Sequence, residues 1–206
     1  VYNREGGKTV LRMNPLINDG DQKISGSEIF LQYEGEELKE IYIPEKAQAQ
    51  TLSSGIRETI NVIDGDSTMS QEPLSFSDDM TGSILRGFFK DGELDSVRLE
   101  GMATTLYHIF EDSIYQGNNR ASGDTIVLKF GEDDLESIFI SGGSEGTYTP
   151  DSLGSDIDGK VVYQSDKIKY NMQNESTDLL GEANIDYTDM NLKAGFINVA
   201  WRSNLL

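Results

Sequence analysis

The sequence has no cysteine among its 206 residues, and this absence removes two kinds of structure. Neither a disulfide framework nor a thiolate metal site can form. Proline is also scarce, and four prolines beside 21 glycines suit many short strands joined by tight turns. No stretch of about eighteen consecutive apolar residues is present, so the sequence does not predict a membrane-spanning helix.

Basic residues are few relative to acidic ones, and this imbalance disfavours several partners. Seventeen Lys and Arg against 36 Asp and Glu give a formal net charge of −19. Nucleic-acid binding needs clustered Lys and Arg at the phosphates, so no nucleic-acid partner is expected. The same charge disfavours docking onto an anionic membrane surface. We interpret the acidic surface as a solvated, self-repelling exterior rather than as a recognition patch.

Residues that could carry catalysis or bind a metal are also sparse. His108 is the one histidine, whereas a zinc site needs several ligands and a Ser-His-Asp triad needs a buried, oriented base. A surface or packing role for His108 follows. The segment 156–159 (Asp-Ile-Asp-Gly) begins like a calcium loop, but Lys160 and two valines follow where further ligands are required. We therefore predict no enzyme, no catalytic residue, no metal site and no cofactor.

The sequence does contain a spacing that occurs three times. Starting from a glycine, apolar residues fall at +3, +5 and +7, a leucine at +12, and apolar residues again at +15 and +17, with a single glycine among them. Alternation with period two is typical of a strand with one buried face, so each copy predicts a strand, a charged turn and a returning strand. The copies are Gly26, Ile29, Leu31, Tyr33, Leu38, Ile41, Ile43; Gly82, Leu85, Gly87, Phe89, Leu94, Val97, Leu99; and Gly123, Ile126, Leu128, Phe130, Leu135, Ile138, Ile140.

Such hairpins cannot bury their apolar faces alone, so they must stack on one another. The prediction is an all-β fold of stacked antiparallel hairpins, with a weaker fourth hairpin that includes Ile168 and Tyr170. Mostly small residues recur two and four positions beyond each return strand and predict a bend where backbones approach closely. These residues are Glu45 and Ala47, Gly101 and Ala103, Gly142 and Ser144, and Gly181 and Ala183.

The length of the chain predicts a single domain over residues 1–206. Residues 50–81 are its least regular part, and we interpret them as either one strand pair or an irregular excursion. Residues 201–206 look like the middle of a strand pattern, which favours a segment of a longer chain.

Several short motifs accompany the spacing. They are Gly101-Met102-Ala103, Gly117-Asn118-Asn119, Gly123-Asp124-Thr125-Ile126, residues 180–187 (LGEANIDY) and the closing segment 189–197 (DMNLKAGFI). Together with the spacing, they resemble the OstA-like (LptA–LptD) family of periplasmic lipopolysaccharide-transport proteins. The resemblance covers about residues 24–200, and residues 50–81 match it poorly.

The resemblance implies an elongated, V-shaped β-jelly-roll that is open at its ends. It further implies a non-enzymatic conduit that carries the acyl chains of lipopolysaccharide toward the outer membrane of a Gram-negative-type bacterium. The location would be the periplasm, in association with that membrane. Like-folded transport proteins would join by edge-strand pairing. The family also includes a periplasmic domain that precedes an outer-membrane assembly barrel, so such a C-terminal barrel is a further partner that the resemblance allows.

The apolar residues of the repeats are the candidate lining of a lipid groove. The alternative is that they fill a closed core. Aromatic residues near the turn ends, Tyr33, Phe89, Phe130 and Tyr170, would either line the mouth of the groove or cap each hairpin. The full predicted lining is Ile29, Leu31, Tyr33, Ile41, Ile43, Leu85, Phe89, Val97, Leu99, Ile126, Leu128, Phe130, Ile138, Ile140, Ile168 and Tyr170.

Two other functions remain open at this stage. A carbohydrate-binding or structural cell-surface module, built as a β-sandwich or solenoid, would show a filled core and solvent-facing aromatic residues flanked by polar ones. A small hydrolase on a jelly-roll frame is disfavoured by the single histidine and by the lack of a metal cluster. An apolar trough along the stack would favour the conduit, whereas a sealed core would favour the module.

Overall fold

The computed structural model describes residues 2–3, 7–63, 66–131, 135–155 and 157–200. Every regular element in these ranges is a β-strand, which confirms the predicted all-β fold. The strands are β1 (Tyr2–Asn3), β2 (Lys8–Arg12), β3 (Leu16–Asp19), β4 (Gln22–Ser25), β5 (Glu28–Glu34), β6 (Glu37–Ile43), β7 (Ala47–Ile63), β8 (Asp66–Gly82), β9 (Ile84–Lys90), β10 (Glu93–Glu111), β11 (Ile114–Phe130), β12 (Leu135–Pro150), β13 (Val161–Asn171), β14 (Ser176–Tyr187) and β15 (Met190–Ala200).

Bends at corresponding places divide the strands between two arms of one continuous sheet. Within each arm the neighbouring segments pair antiparallel. Arm 1 contains, in sheet order, residues 8–12, 28–34, 37–43, 84–90, 93–100, 125–130, 135–141, 167–171, 176–180 and 196–200. Arm 2 contains residues 16–19, 22–25, 47–51, 78–82, 103–111, 114–123, 144–150, 161–165, 183–187 and 190–194.

The bends lie where the small residues predicted them. The pairing register shifts there in successive strands, and Gly101, Gly142 and Gly181 have φ angles of 76°, 82° and 75°. Glycine adopts this left-handed backbone without strain, whereas a Cβ at Gly101 would also lie 2.7 Å from the Ser83 Oγ. These glycines therefore allow β10, β12 and β14 to leave one arm and enter the other.

The three copies of the repeat share a second structural feature. In each hairpin the residue directly after the leucine at position +12 of the repeat has no cross-strand partner, which makes a β-bulge near the turn. The three unpaired residues are Lys39, Asp95 and Glu136, each thirteen positions after the glycine that starts its copy. The sequence repeat is thus a repeat of structure, including its irregularity.

The two arms fold toward one another, as one pair of side chains shows. Tyr163 and Tyr170 lie seven residues apart on β13, on opposite sides of its bend, and their hydroxyl oxygens are 2.6 Å apart. In a straight strand the two residues would be separated by roughly 23 Å. The bent strands therefore enclose an interior between the arms, in an elongated jelly-roll-like fold.

Residues 50–81 form a strand pair, the more regular of the two predicted alternatives. Strands β7 and β8 pair without a register shift from Ala47 and Gly82 out to Ile63 and Asp66. The base of this hairpin belongs to arm 2, and residues 52–63 and 66–77 extend beyond it as a ribbon. The ribbon meets the end of arm 2, where the Ile56 N–H donates to the Ser113 carbonyl at 2.8 Å.

Candidate functional site

The interior is lined on arm 1 by three rows of side chains that run across the strands. The row nearest the bends is here called the vertex row. Its members are at most 2% exposed, apart from the half-buried residues at the two ends of the stack, so the row is sealed. The predicted groove residues of this row are therefore core residues. Its members are Leu11, Ile29, Ile43, Leu85, Leu99, Ile126, Ile140, Ile168, Leu179 and Ile197.

The next row, here the middle row, is slightly more accessible in the first half of the stack. Ile41 and Val97 are each 7% exposed, and Gly87 between them has no side chain. A Cβ at Gly87 would lie 3.7–3.9 Å from the side chains of Leu94, Ile41 and Phe89, which is ordinary van der Waals contact, so a methyl group fits at this position. The members of the row are Thr9, Leu31, Ile41, Gly87, Val97, Leu128, Ile138, Tyr170, Thr177 and Val199.

The outermost row, here the lip row, lies at the turn ends of the arm 1 hairpins and is half-buried. Each repeated hairpin contributes one aromatic residue paired with one leucine, so the row is apolar along the stack and reachable from solvent. All of its members except Tyr33 pack against the buried core, and none of them is enclosed by it. Its members are Tyr33, Leu38, Phe89, Leu94, Phe130, Leu135 and Met172.

Tyr170 does not lie where the sequence comparison placed it. It pairs with Ile138 and is 2% exposed, so it belongs to the middle row, and Met172 takes the lip position instead. The fourth copy starts from Ser165 rather than from a glycine, which hides its true register. The prediction that Tyr170 is equivalent to Tyr33 was therefore wrong by one cross-strand pair.

The facing wall, on arm 2, is built largely from small side chains. Their small volume leaves room for the bulky residues of arm 1 to fill the space between the arms. Sequence reasoning identified some of these positions as bends but not as a wall, because small residues produce no hydrophobic alternation. The buried small residues are Ala47, Ala49, Ala103, Thr105, Ala121, Ser144, Ser165 and Ala183.

A polar network crosses the interior in the second half of the stack, and no sequence pattern predicted it. Tyr163 donates to the Asn119 Oδ1 at 2.7 Å, and the Asn119 Nδ2 donates to the Tyr107 hydroxyl at 3.2 Å. These three residues lie on arm 2, whereas Tyr170, 2.6 Å from the Tyr163 hydroxyl, lies on arm 1. Burial raises the pKa of Tyr163 to about 12 and also raises the pKa values of Tyr107 and Tyr170. The network is therefore neutral near pH 7.

The last strand leaves the end of the stack open. Leu192 and Val199 continue the inner rows on β15, and they are 40% and 37% exposed. No further strand pairs with the outer edge of β15 among the residues that the structure describes. Inner-row side chains that are sealed within the stack thus become accessible at its end.

His108 has a packing role. Its ring stacks on Phe76 of the ribbon with centroids 4.1 Å apart, and its Nδ1 lies 2.7 Å from the Asp78 Oδ1. Within the described ranges, no group of three or more His, Asp or Glu is arranged to hold a metal ion. Asp156, which starts the calcium-like segment, lies outside the described residues, as do residues 201–206.

A separate concavity of about 170 Å³ lies on the outer face of arm 1. The Arg86 guanidinium lies 4.2 Å from the centroid of the Tyr42 ring and donates to Glu40 at 2.8 Å. Phe30 packs beside Tyr42 with ring centroids 5.8 Å apart. This face presents aromatic rings with polar groups around them, on the side of the sheet opposite the interior.

No protein-family model, curated protein or solved structure matches this chain. In the described part of the chain, no helix has the length and hydropathy needed to cross a membrane. An apolar lip above a sealed vertex provides a surface on which apolar chains can bind through non-covalent contacts.

Proposed function

We propose that this protein is a non-enzymatic periplasmic conduit that carries the acyl chains of lipopolysaccharide toward the outer membrane. The observation that supports the proposal most strongly is the lip row. It places one aromatic and one aliphatic side chain per hairpin along the stack, half-buried and facing the space between the arms. The resemblance of the repeat and its motifs to the OstA-like family supports the choice of lipid.

The energetics of such a row favour loading without tight capture. Burial of apolar area contributes about 25 cal/mol per Å², or roughly 0.8 kcal/mol per methylene group. An acyl chain lying along Phe89, Leu94 and their neighbours would gain this free energy for each methylene group that it buries. Because aliphatic and phenyl side chains form no directional bonds, the chain could slide from one hairpin to the next at little cost.

The charge of the protein favours a headgroup that lies in solvent. A net charge of −19 repels phosphate groups, so an anionic headgroup would project from the mouth into solvent while the chains occupy the lip. The sealed vertex row keeps the chains near the mouth.

Like-folded transport proteins would extend the conduit at the ends of the stack. The outer edge of β15 and the exposed Leu192 and Val199 offer both backbone hydrogen-bonding groups and a continuing apolar row. Strand addition at such an edge would join two interiors into one surface.

Two consecutive phenylalanines provide the test. Phe89 lies in the lip row and Phe88 points to the opposite face, where it is 38% exposed. A benzophenone side chain placed at position 89 should crosslink to labelled lipopolysaccharide, and the same group at position 88 should not. Equal crosslinking from both positions, or none from position 89 in a folded protein, contradicts the proposal.

One observation favours the alternative of a carbohydrate-binding or structural module. The outer concavity around Tyr42 and Arg86 combines exposed aromatic surface with charged groups, as saccharide sites do. In that case Tyr42→Ala should abolish retention on immobilised polysaccharide, whereas Phe89→Ala should not.

A further inference from the structure

The hydrogen bond between Tyr163 and Tyr170 joins the two arms, whereas the bonds of Asn119 to Tyr163 and to Tyr107 lie within arm 2. Tyr170 lies in the middle row of arm 1, and Tyr163 lies on arm 2, on the other side of the bend in β13. Both residues are at most 7% exposed. Water therefore does not compete well for their hydroxyl groups, which strengthens the bond.

The first half of the stack is built differently. There Ile41, Ile43 and Leu85 of arm 1 face a wall that includes Ala47 and Ala49 on arm 2. Aliphatic side chains cannot hydrogen-bond across the interior, so these residues hold the arms together by packing. Gly87 contributes no side chain to that packing.

We infer that the Tyr163–Tyr170 bond is a staple that fixes the separation of the arms in the second half of the stack. Widening of the interior is then confined to the first half. The part of this inference that concerns lipid rests on the proposed function. An entering acyl chain spreads the arms at β5–β9 and leaves the arms at β13 and β14 in place. Tyr163 and Tyr170 are accordingly positioning residues for the cargo.

The absence of native cysteine makes the separation of the arms directly measurable. Spin labels on Asp21→Cys and Glu36→Cys report the tips of the two arms in the first half, because both residues lie exposed in the turns. Labels on Gln173→Cys and Asp189→Cys report the second half in the same way. Pulsed electron spin resonance then gives a distance distribution for each pair, with and without purified lipopolysaccharide.

The expected result has two parts. Without lipid, the second-half pair gives a narrow distance distribution. Tyr170→Phe raises the fraction of molecules with a longer label-to-label distance roughly fivefold, which is the effect of losing one hydrogen bond. With lipopolysaccharide, the first-half pair shifts to longer distances and the second-half pair does not. Tyr148→Phe is the matched control, since the Tyr148 hydroxyl bonds to the Gln116 carbonyl and to Ser155 without reaching arm 1.

Three results would overturn the staple. They are a second-half distribution as broad as the first, an unchanged distribution in Tyr170→Phe, and equal broadening in Tyr148→Phe. A lipid that moves neither pair counts against the proposed function and against the lipid-driven widening. The lipid-free comparison of Tyr170→Phe with Tyr148→Phe decides the staple independently of that outcome.

Discussion

The two halves of the interior share one frame but are filled differently. Between β5 and β9 the middle row contains Gly87, and the opposite wall is made of small or aliphatic residues. Between β11 and β14 the same space is crossed by Tyr163, Tyr170 and Asn119. The vertex row beneath both halves is equally sealed. The fold therefore depends on the vertex row, while the rows above it are free to differ according to what the interior must hold.

The largest effects should come from the vertex row, and they should be equal in both halves. Ile43→Ala and Ile140→Ala each remove a side chain that is 0% exposed, so each should lower the free energy of unfolding by about 2–5 kcal/mol. Urea unfolding measures the loss. Ile60→Ala on the half-exposed ribbon position is the control and should change little. A loss of stability in only one of these two variants would contradict the idea that both halves depend equally on the vertex row.

Alkaline pH should act on the second half alone. Because burial raises the folded-state pKa of Tyr163 to about 12, its stabilising contribution is present below pH 10 and is lost as the pH rises from about 10 through 12. A shift of this size corresponds to about 3 kcal/mol. Absorbance at 295 nm should show a group of tyrosines that ionises after the others, together with unfolding. Simultaneous ionisation of all tyrosines near pH 10 in the folded protein would contradict a buried network.

Two glycines should respond in opposite directions to the same substitution. Gly87→Ala places a methyl group in ordinary van der Waals contact, 3.7 Å from its nearest neighbour, and should raise stability by about 0.5–1 kcal/mol. Gly123→Ala places it 2.6 Å from the Ile140 Cγ2 and should cost about 1–3 kcal/mol. Thermal unfolding of the two variants measures both. A destabilising Gly87→Ala would show that the first half is as tightly filled as the second.

The smallest effect concerns the ribbon, which links the halves outside the interior. Arg57 on β7 forms an ion pair with Asp151, which follows β12 and has a side chain only 1% exposed. Burial by itself would raise the pKa of Asp151, but the Arg57 guanidinium and the N–H groups of Leu153 and Gly154 lower it overall. The contribution of this carboxylate is therefore present above about pH 4 and is lost as the pH falls through the lowered pKa.

Arg57→Ala should accordingly increase amide exchange in the ribbon around Ile56 while lowering global stability by about 1 kcal/mol or less. Arg98→Ala, which removes an exposed pair with Glu100, serves as the control and should leave the ribbon unchanged. Unaltered exchange at Ile56 in Arg57→Ala would mean that the ion pair does not hold the ribbon.

Arm 1 could be predicted from the sequence, and arm 2 largely could not. The bulky residues of arm 1 alternate, and their spacing repeats, so the hairpins at residues 26–43, 82–99 and 123–140 were confirmed as strand pairs. On arm 2 many of the inner positions are Ala, Ser, Thr and Asn, which carry no hydrophobic period. Alternation therefore does not predict residues 108–121 as strands, although all of them except Asp112 and Ser113 belong to β10 and β11.

The candidate site was predictable only in part, for a related reason. Period-two alternation identifies which residues face inward but not how far each lies from a bend. It therefore could not separate the sealed Leu99 from the half-buried Phe89. The bond between Tyr163 and Tyr170 forms because β13 folds back on itself, and the alternation of apolar residues does not predict such a fold.

Native mass spectrometry can measure whether the lip row holds acyl chains. The protein would be produced in the periplasm of a Gram-negative host and purified under gentle conditions. We expect a bound acylated lipid on the unaltered chain and on Phe88→Asp, and its loss from a folded Phe89→Asp. A lipid-free mass for all three proteins, or equal lipid on both variants, would contradict it.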